Sequence, residues 1–194
     1  MRQLHRWICQ SDAYQLSSRF SNGNERDDPD RTARLPLFSR MYLKPMTAEQ
    51  VFDSLVVVTG HFPSGVADRF ESRDAWIRQF VLSYATEEND ESLLLDGSIT
   101  QALVMMNSRL IEDIIKVGPE SVLRRILQER SSDSRRIEQI CLATLSRYPT
   151  TEEERQFRSH LQTSRRSDRK SGAERGCEDI LWAYLNSSEF LYVH

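Results

Sequence analysis

Histidine and cysteine are the residue types best suited to hold a metal or a haem, and here their spacing fits neither. The chain has four histidines and three cysteines, with no Cys-x-x-Cys pair and no Cys-x-x-Cys-His motif. A c-type haem needs the second motif, and structural zinc sites usually show local ligand pairs. We therefore predict no cofactor. These residues are His5, His61, His160, His194, Cys9, Cys141 and Cys177.

One polar segment carries the oxygen ligands that a hard cation prefers. It contains Asn22, Asn24, Asp27, Asp28 and Asp30. Its spacing departs from the EF-hand pattern, and Asn and Asp also form turns by bonding to their own backbone. We interpret the segment as a turn-rich surface loop and keep calcium as the alternative.

Hydrolysis by acid–base chemistry needs two carboxylates held at a set distance across a cleft. Glu49, Asp53, Glu112 and Asp113 lie on predicted helices, but no spacing singles out a pair. Charged residues on helices usually form the solvated face. We assign no catalytic residue, and an enzymatic role for this chain alone is the less favoured hypothesis.

A cluster of basic residues near the C-terminus is the one candidate for binding nucleic acid. Only one aromatic residue, Phe157, lies near it, and the net charge of the chain is -3. Phosphate binding favours a basic balance with interleaved aromatic residues. We therefore expect a solvated segment and no nucleic-acid partner. The cluster comprises Arg155, Arg158, Arg165, Arg166, Arg169 and Lys170.

The composition fits one soluble helical domain spanning residues 1–194. Hydrophobic residues make up 39% of the chain and charged residues 28%, which is enough apolar material for a core. No apolar run in the sequence approaches the roughly 20 residues of a membrane span. The N-terminus lacks the apolar stretch of a secretory signal, and we assign no compartment.

Apolar residues recur at helical spacing through most of the chain, and no strand alternation of useful length appears. We predict an all-α fold, an irregular bundle of about six to eight helices with long polar loops. Thr47 with Gln50, and Thr150 with Glu153, form capping-box patterns that start two helices. The polar loops fall at 18–36 and at 163–176, and the second is expected to be mobile.

The longest apolar stripe predicts a central helix over residues 98–117, in contact with helices 47–59 and 133–148. We expect Leu103 to be buried in it. Gly118 and Pro119 are expected to end this helix and start the next one. The last helix is predicted from about Glu178 to Glu189.

The N-terminus carries an apolar stripe at i, i+3 and i+4 spacing, formed by Leu4, Trp7 and Ile8. No capping residue precedes it, and the helix would start at the initiator methionine. We expect the stripe to stay partly open and to pack against a protein partner or an upstream domain.

Five stretches resemble the C-terminal part of the planctomycete-type domain of unknown function 1553, in the order of that family. The domain occurs in large proteins that often carry a cytochrome-c-like segment. The stretches are Trp7–Asn24 (WICQSDAYQLSSRFSNGN), Phe38–Gly60 (FSRMYLKPMTAEQVFDSLVVVTG), Asp96–Ser108 (DGSITQALVMMNS), Thr144–Glu152 (TLSRYPTTE) and Glu178–His194 (EDILWAYLNSSEFLYVH).

The resemblance implies the kind of protein in which the chain occurs, but it assigns no chemistry. The family has no established activity, so no site residue can be carried over. Its proteins are often exported, and this chain looks like the family domain truncated at its N-terminal side. The leading hypothesis is a helical interaction or scaffold module. The alternative is part of a hydrolase or redox-linked enzyme whose site an upstream segment or a partner completes.

Overall fold

Helices dominate the residues that the computed structural model describes. These are residues 2–19, 37, 39–60, 71, 73–75, 77–78, 103, 105–129 and 131–193. The all-α prediction is confirmed, because the strands in this part of the chain are two residues long. The Asn22–Asp30 calcium candidate, and the 18–36 loop beyond residue 19, lie outside the described residues.

The chain forms two compact units, and the single-domain expectation stays a prediction. The first unit comprises residues 1–45 and 192–194. It contains helix α1 (Arg2–Cys9) and strand β1 (Lys44–Pro45). Strand β2 (Tyr192–Val193) pairs with β1 in antiparallel register. Each strand contributes two paired residues, so the pairing joins segments that are distant in sequence.

The second unit, residues 46–191, begins with helix α2 (Ala48–Thr59), whose two ends follow from local chemistry. The Thr47 hydroxyl accepts from the Gln50 N–H, and the Gln50 side chain accepts from the Thr47 N–H. This is the predicted capping box, and it is confirmed. Gly60 ends the helix in the left-handed region at φ 69°, where glycine has no steric penalty.

The predicted helix 98–117 is wrong as one continuous element. Residues 103 and 105–107 are helical, but Ser108 has extended backbone and caps a new helix, α3 (Arg109–Ile114). Its hydroxyl accepts from the Ile111 N–H at 3.3 Å. A serine inside an apolar periodic run can restart a helix, because its side chain replaces a missing backbone partner.

The apolar stripe over residues 98–117 does not correctly predict the burial of Leu103. Its side chain is 51% exposed, whereas Met105 is 1% exposed. Helix α3 contacts α2 as expected, but the break at Ser108 means that no single long helix organises the core. The expected burial of Leu103 is therefore wrong, and the expected central position of the segment stays a prediction.

The Gly118–Pro119 prediction also needs correction. Helix α3 ends at Ile114, several residues before the glycine, and helix α4 (Val122–Gln128) starts after the proline. Ser121 is the capping residue, and its hydroxyl accepts from the Arg124 N–H at 3.2 Å. The hydroxyl therefore fixes the start of α4, and the two residues before it form a turn.

Three longer helices complete the second unit and pack closely on one another. They are α5 (Asp133–Leu145), α6 (Thr151–Ser167) and α7 (Gly172–Leu185), and each contacts the other two. Thr150 and Glu153 form the predicted second capping box at the start of α6, and this prediction is confirmed.

The loop predicted at 163–176 is wrong in its bounds. Helix α6 runs on to Ser167, and α7 starts already at Gly172, leaving a turn of four residues. Helix α7 ends at Leu185, and a short 3-10 helix (Ser188–Leu191) follows. The glycines suggested a loop, but they lie where α7 comes close to the α6 backbone.

The apolar core of the described chain lies within the second unit. Its fully buried side chains come mainly from α2 and from the three long helices, and burial of that area is the main favourable term in folding. Representative residues below 2% exposure are Val51, Leu55, Ile111, Ile137, Ile140, Cys141, Leu161, Cys177, Ile180 and Leu185.

Candidate functional site

The four carboxylates considered for acid–base chemistry are not gathered into one arrangement. The Asp53 Oδ1 atom lies 3.6 Å from the Arg73 Nε atom. Asp113 Oδ1 accepts a 2.9 Å hydrogen bond from Lys116 Nζ. Hydrogen bonds from its own backbone N–H, at the start of α2, and from the Thr47 hydroxyl lower the pKa of Glu49. Glu112 is exposed. These contacts are those of solvated helix surfaces.

Sequence reasoning missed one trio of catalytic residue types, between α6 and α7. The His160 Nε2 atom lies 2.8 Å from Asp179 Oδ2 and 3.5 Å from Ser164 Oγ. A serine-hydrolase triad uses both ring nitrogens, one toward the serine and the other toward the acid. Here both groups approach the same nitrogen, at an exposed surface. The arrangement therefore fits a hydrogen-bonded contact between α6 and α7 at the surface and not a catalytic triad.

The densest ionic cluster lies around Arg147, just after α5. Its guanidinium donates to both oxygens of Glu153 at 2.8 and 2.9 Å, and to both oxygens of Glu189 at 2.7 Å. Glu153 belongs to the capping box of α6, and Glu189 lies in the 3-10 helix. One arginine therefore links two segments that both follow it in sequence, the start of α6 and the C-terminal 3-10 helix.

The Arg147 cluster suits a structural role because its carboxylates are held ionised. Hydrogen bonds from Arg147 are the main cause that lowers the Glu153 pKa from 4.5 to about 2. Hydrogen bonds to Glu153 and Glu189 raise the Arg147 pKa further. A general acid needs a pKa near the working pH. Neither partner of this pair meets that need, so the cluster fastens the fold and does not transfer protons.

Replacing Arg147 with glutamine should lower the free energy of unfolding by about 1–2 kcal/mol at neutral pH, since charge-assisted bonds are partly screened here. The folded pKa of Glu153 lies below the unfolded value. Its contribution is therefore complete above pH 4.5 and lost as pH falls through about 2. Urea unfolding across this range should show the difference between variant and parent shrinking.

The matched control is Arg155→Gln, which removes an exposed i, i+3 pair with Glu152 on α6. Exposed pairs contribute little, so this variant should unfold close to the parent. A pH-independent difference between Arg147→Gln and the parent would show that lost packing, and not the ion pairs, causes the destabilisation.

Two of the three thiols are buried and one is exposed. Burial raises the pKa of Cys177 to about 11 and raises the pKa of Cys141 as well. Cys9, in contrast, is exposed on α1. Because the thiolate is the reactive form, the two buried cysteines are poor nucleophile candidates.

Thiol labelling checks this assignment directly. With a maleimide at neutral pH, the folded chain should take up one label, on Cys9, and the denatured chain should take up three. Mass spectrometry of the native product locates the label. Rapid native modification of Cys141 or Cys177 would contradict the burial of these helices.

Three of the six residues in the basic cluster form ion pairs with carboxylates of the same chain. Arg155 pairs with Glu152, and Arg158 with Glu154, along α6. Arg165 makes a paired contact to Asp133 on α5 at 2.5 and 2.7 Å. Paired guanidinium groups must give up these carboxylates to bind phosphate. The geometry therefore supports a role for these arginines in helix packing.

Metal candidates within the described residues do not converge. Among residues 2–19, 37, 39–60, 71, 73–75, 77–78, 103, 105–129 and 131–193, no group of three His, Cys, Asp or Glu side chains is placed to hold an ion. His5 and His160 belong to different units. His61 and His194, like the Asn22–Asp30 segment, lie outside the described residues.

No helix in the described part of the chain has both the length and the apolar character needed to cross a membrane.

The most unusual surface of the described chain is the apolar face of α1. Leu4, Trp7 and Ile8 are 51%, 63% and 45% exposed, and no residue of the helix is buried. The predicted N-terminal helix and its open stripe are thus confirmed. An isolated helix this short is marginal in water, so its exposed apolar face is an unusual feature.

The rest of the first unit is equally poor in buried apolar groups. Among its described residues, Arg40 is buried but no hydrophobic side chain is. Exposed large hydrophobic residues are instead frequent, and the unit contains Leu4, Trp7, Ile8, Tyr14, Leu37, Leu43 and Val193. Exposed apolar side chains that form a patch usually mark an interaction site, and those of α1 share one face of the helix.

Comparison with known protein families gives a match for the N-terminal part of the chain. No curated protein and no solved structure matches it. The resembling stretches beyond residue 89 lie outside the matched region and stay a prediction. Over residues 1–89 the chain matches the model of the family PSD1, described as a protein of unknown function (DUF1553), and the resemblance predicted from the sequence is confirmed there.

Proposed function

We propose that this chain is a non-catalytic helical interaction module that presents the apolar face of α1 to a protein surface. The observation that carries the proposal is the exposure of Leu4, Trp7 and Ile8 on a helix without any buried residue. Fully burying each such aliphatic side chain contributes about 1.5–3 kcal/mol. The free energy of burying these side chains does not stabilise the first unit, and binding of a partner would release it.

The contrast between the two units supports the same proposal. The second unit buries a core from several helices, so it can serve as a stable carrier. The first unit exposes its large side chains and lies entirely within the region that matches the family model, apart from residues 192–194. The ionisable clusters of the second unit are paired internally, which favours interaction over catalysis.

Site-specific photocrosslinking tests the proposal. A photoreactive residue at position 4 should form a crosslink to a protein in cells that produce the chain, and Trp7→Glu should abolish it. The matched control carries the same residue at Val57, which is 69% exposed on α2. The proposal fails if position 4 forms no protein adduct, or if Trp7→Glu leaves the adduct unchanged.

A further inference from the structure

The chain passes between its two units twice, and residues at the two passages are bonded to each other. Met46 begins the second unit and Leu191 ends it. The Met46 N–H donates to the Leu191 carbonyl oxygen at 2.8 Å. Pro45 and Tyr192, the residues just outside that unit, are partners in the β1–β2 pairing of the first unit. The end of the chain is therefore bonded to the segment where the first unit gives way to the second.

We call residues 188–193 the C-terminal strap, which comprises the 3-10 helix and β2. Its 3-10 helix contacts α5, and Glu189 accepts two hydrogen bonds of 2.7 Å from the Arg147 guanidinium. Phe190, at 3% exposure, is the one buried residue of the strap. The strap thus depends on one buried apolar side chain, one ion pair and a short backbone pairing, whereas α7 buries several side chains.

We propose that the strap detaches from the fold as one unit while α5, α6 and α7 stay folded, and that the Arg147–Glu189 ion pair holds it in place. Segments with few buried apolar contacts open at a lower free energy than the core, and a two-residue pairing adds little stability of its own. Because β2 is part of the strap, detachment leaves β1 unpaired and removes the Leu191 acceptor from the Met46 N–H. A change at Glu189 is therefore transmitted to a segment that is distant in sequence.

Arg147 suits this role because its two carboxylate partners belong to different parts of the fold. Glu153, at the start of α6, holds the guanidinium through two hydrogen bonds that do not involve the strap. The guanidinium therefore stays in position when the strap leaves, and a side chain that is already ordered loses less entropy when Glu189 binds again. The strap side of the cluster opens and closes without breaking the helical side.

Amide hydrogen exchange of the full chain, followed residue by residue by NMR, tests the strap. Glu189→Gln removes the charge on the strap side of the cluster. It should raise the exchange rates of the Met46 and Phe190 amides by about fivefold or more, and leave the rate of the Leu181 amide in α7 unchanged. The matched control is Glu153→Gln, which removes the charge on the α6 side and should change the Met46 rate much less.

Three results would overturn the inference. Equal acceleration of the Met46, Phe190 and Leu181 amides in Glu189→Gln would show that the strap opens only when the helices unfold. Unchanged Met46 and Phe190 rates would show that the ion pair does not hold the strap, and acceleration of only one of them that the strap does not move as one unit. The inference does not depend on the proposed function, because no contact of α1 enters it.

Discussion

Replacing Leu161 with alanine should lower the free energy of unfolding by about 2–5 kcal/mol. Leu161 has 0% exposure and is the one residue of α6 that is fully buried, although that helix is seventeen residues long. Apart from Phe157, which is partly buried against the core, the rest of α6 is polar, so Leu161 carries much of the apolar contact that holds the helix. Its loss removes that contact and leaves a cavity against α7.

Urea unfolding followed by circular dichroism measures the effect, and Leu103→Ala is the matched control. Leu103 is chemically identical but 51% exposed, so its truncation should cost less than about 1 kcal/mol. If the two variants lose the same stability, Leu161 is not the anchor that the structure indicates. If Leu103→Ala costs more than this, the Leu103 side chain is more buried in solution than it is here.

The helix starts could be predicted from sequence because their chemistry is local. Thr47 with Gln50, and Thr150 with Glu153, satisfy each other within four residues, so no knowledge of the fold is needed. The break at Ser108 follows the same chemistry but was missed. The apolar periodicity continues across it, and periodicity alone cannot show where the backbone hydrogen bonds stop.

The lengths of α6 and α7 were also mispredicted, because a segment expected to be a loop is largely helical. Arginine, serine and glycine between residues 163 and 176 are typical of a loop, and they suggested one. In the structure Arg165 bonds to Asp133, from a different helix, and Gly172 and Gly176 face α6. Tertiary packing decides such positions, because the same glycine can end a helix or allow two helices to approach.

The ionic clusters could not be predicted for a related reason. Arg147 and Glu189 are 42 residues apart in sequence, and His160 and Asp179 are 19 apart. Nothing in one sequence indicates which of many charged residues will meet. The exposed stripe of α1 could be predicted, since its members are neighbours on one helical turn and only their covering surface lies elsewhere.

Replacing Gly172 with alanine should lower the free energy of unfolding by about 3 kcal/mol. A Cβ atom at this position would overlap the Ser164 carbonyl oxygen and lie 2.9 Å from the Arg165 Cα atom. Both are backbone atoms of α6, so no side chain can rotate away. The two helices would have to move apart, which loosens the contact of Leu161 with α7.

Two other glycine-to-alanine variants provide stabilities with which Gly172→Ala can be compared. At Gly176 the nearest atom to an added Cβ is Leu161 Cδ2 at 2.8 Å, the end of a flexible side chain, so Gly176→Ala should cost less than Gly172→Ala. At Gly118 nothing lies within 4 Å of the added atom. Gly118→Ala should therefore raise stability by about 0.4–1 kcal/mol, because it restricts the unfolded chain.

Thermal and urea unfolding of the three variants test the order. The structure requires Gly172→Ala to be the least stable and Gly118→Ala to be at least as stable as the parent. If alanine were tolerated at Gly172, α6 and α7 would lie farther apart in solution than here. The burial of Leu161 would then need another explanation. The series therefore tests the packing of the second unit independently of the apolar face of α1.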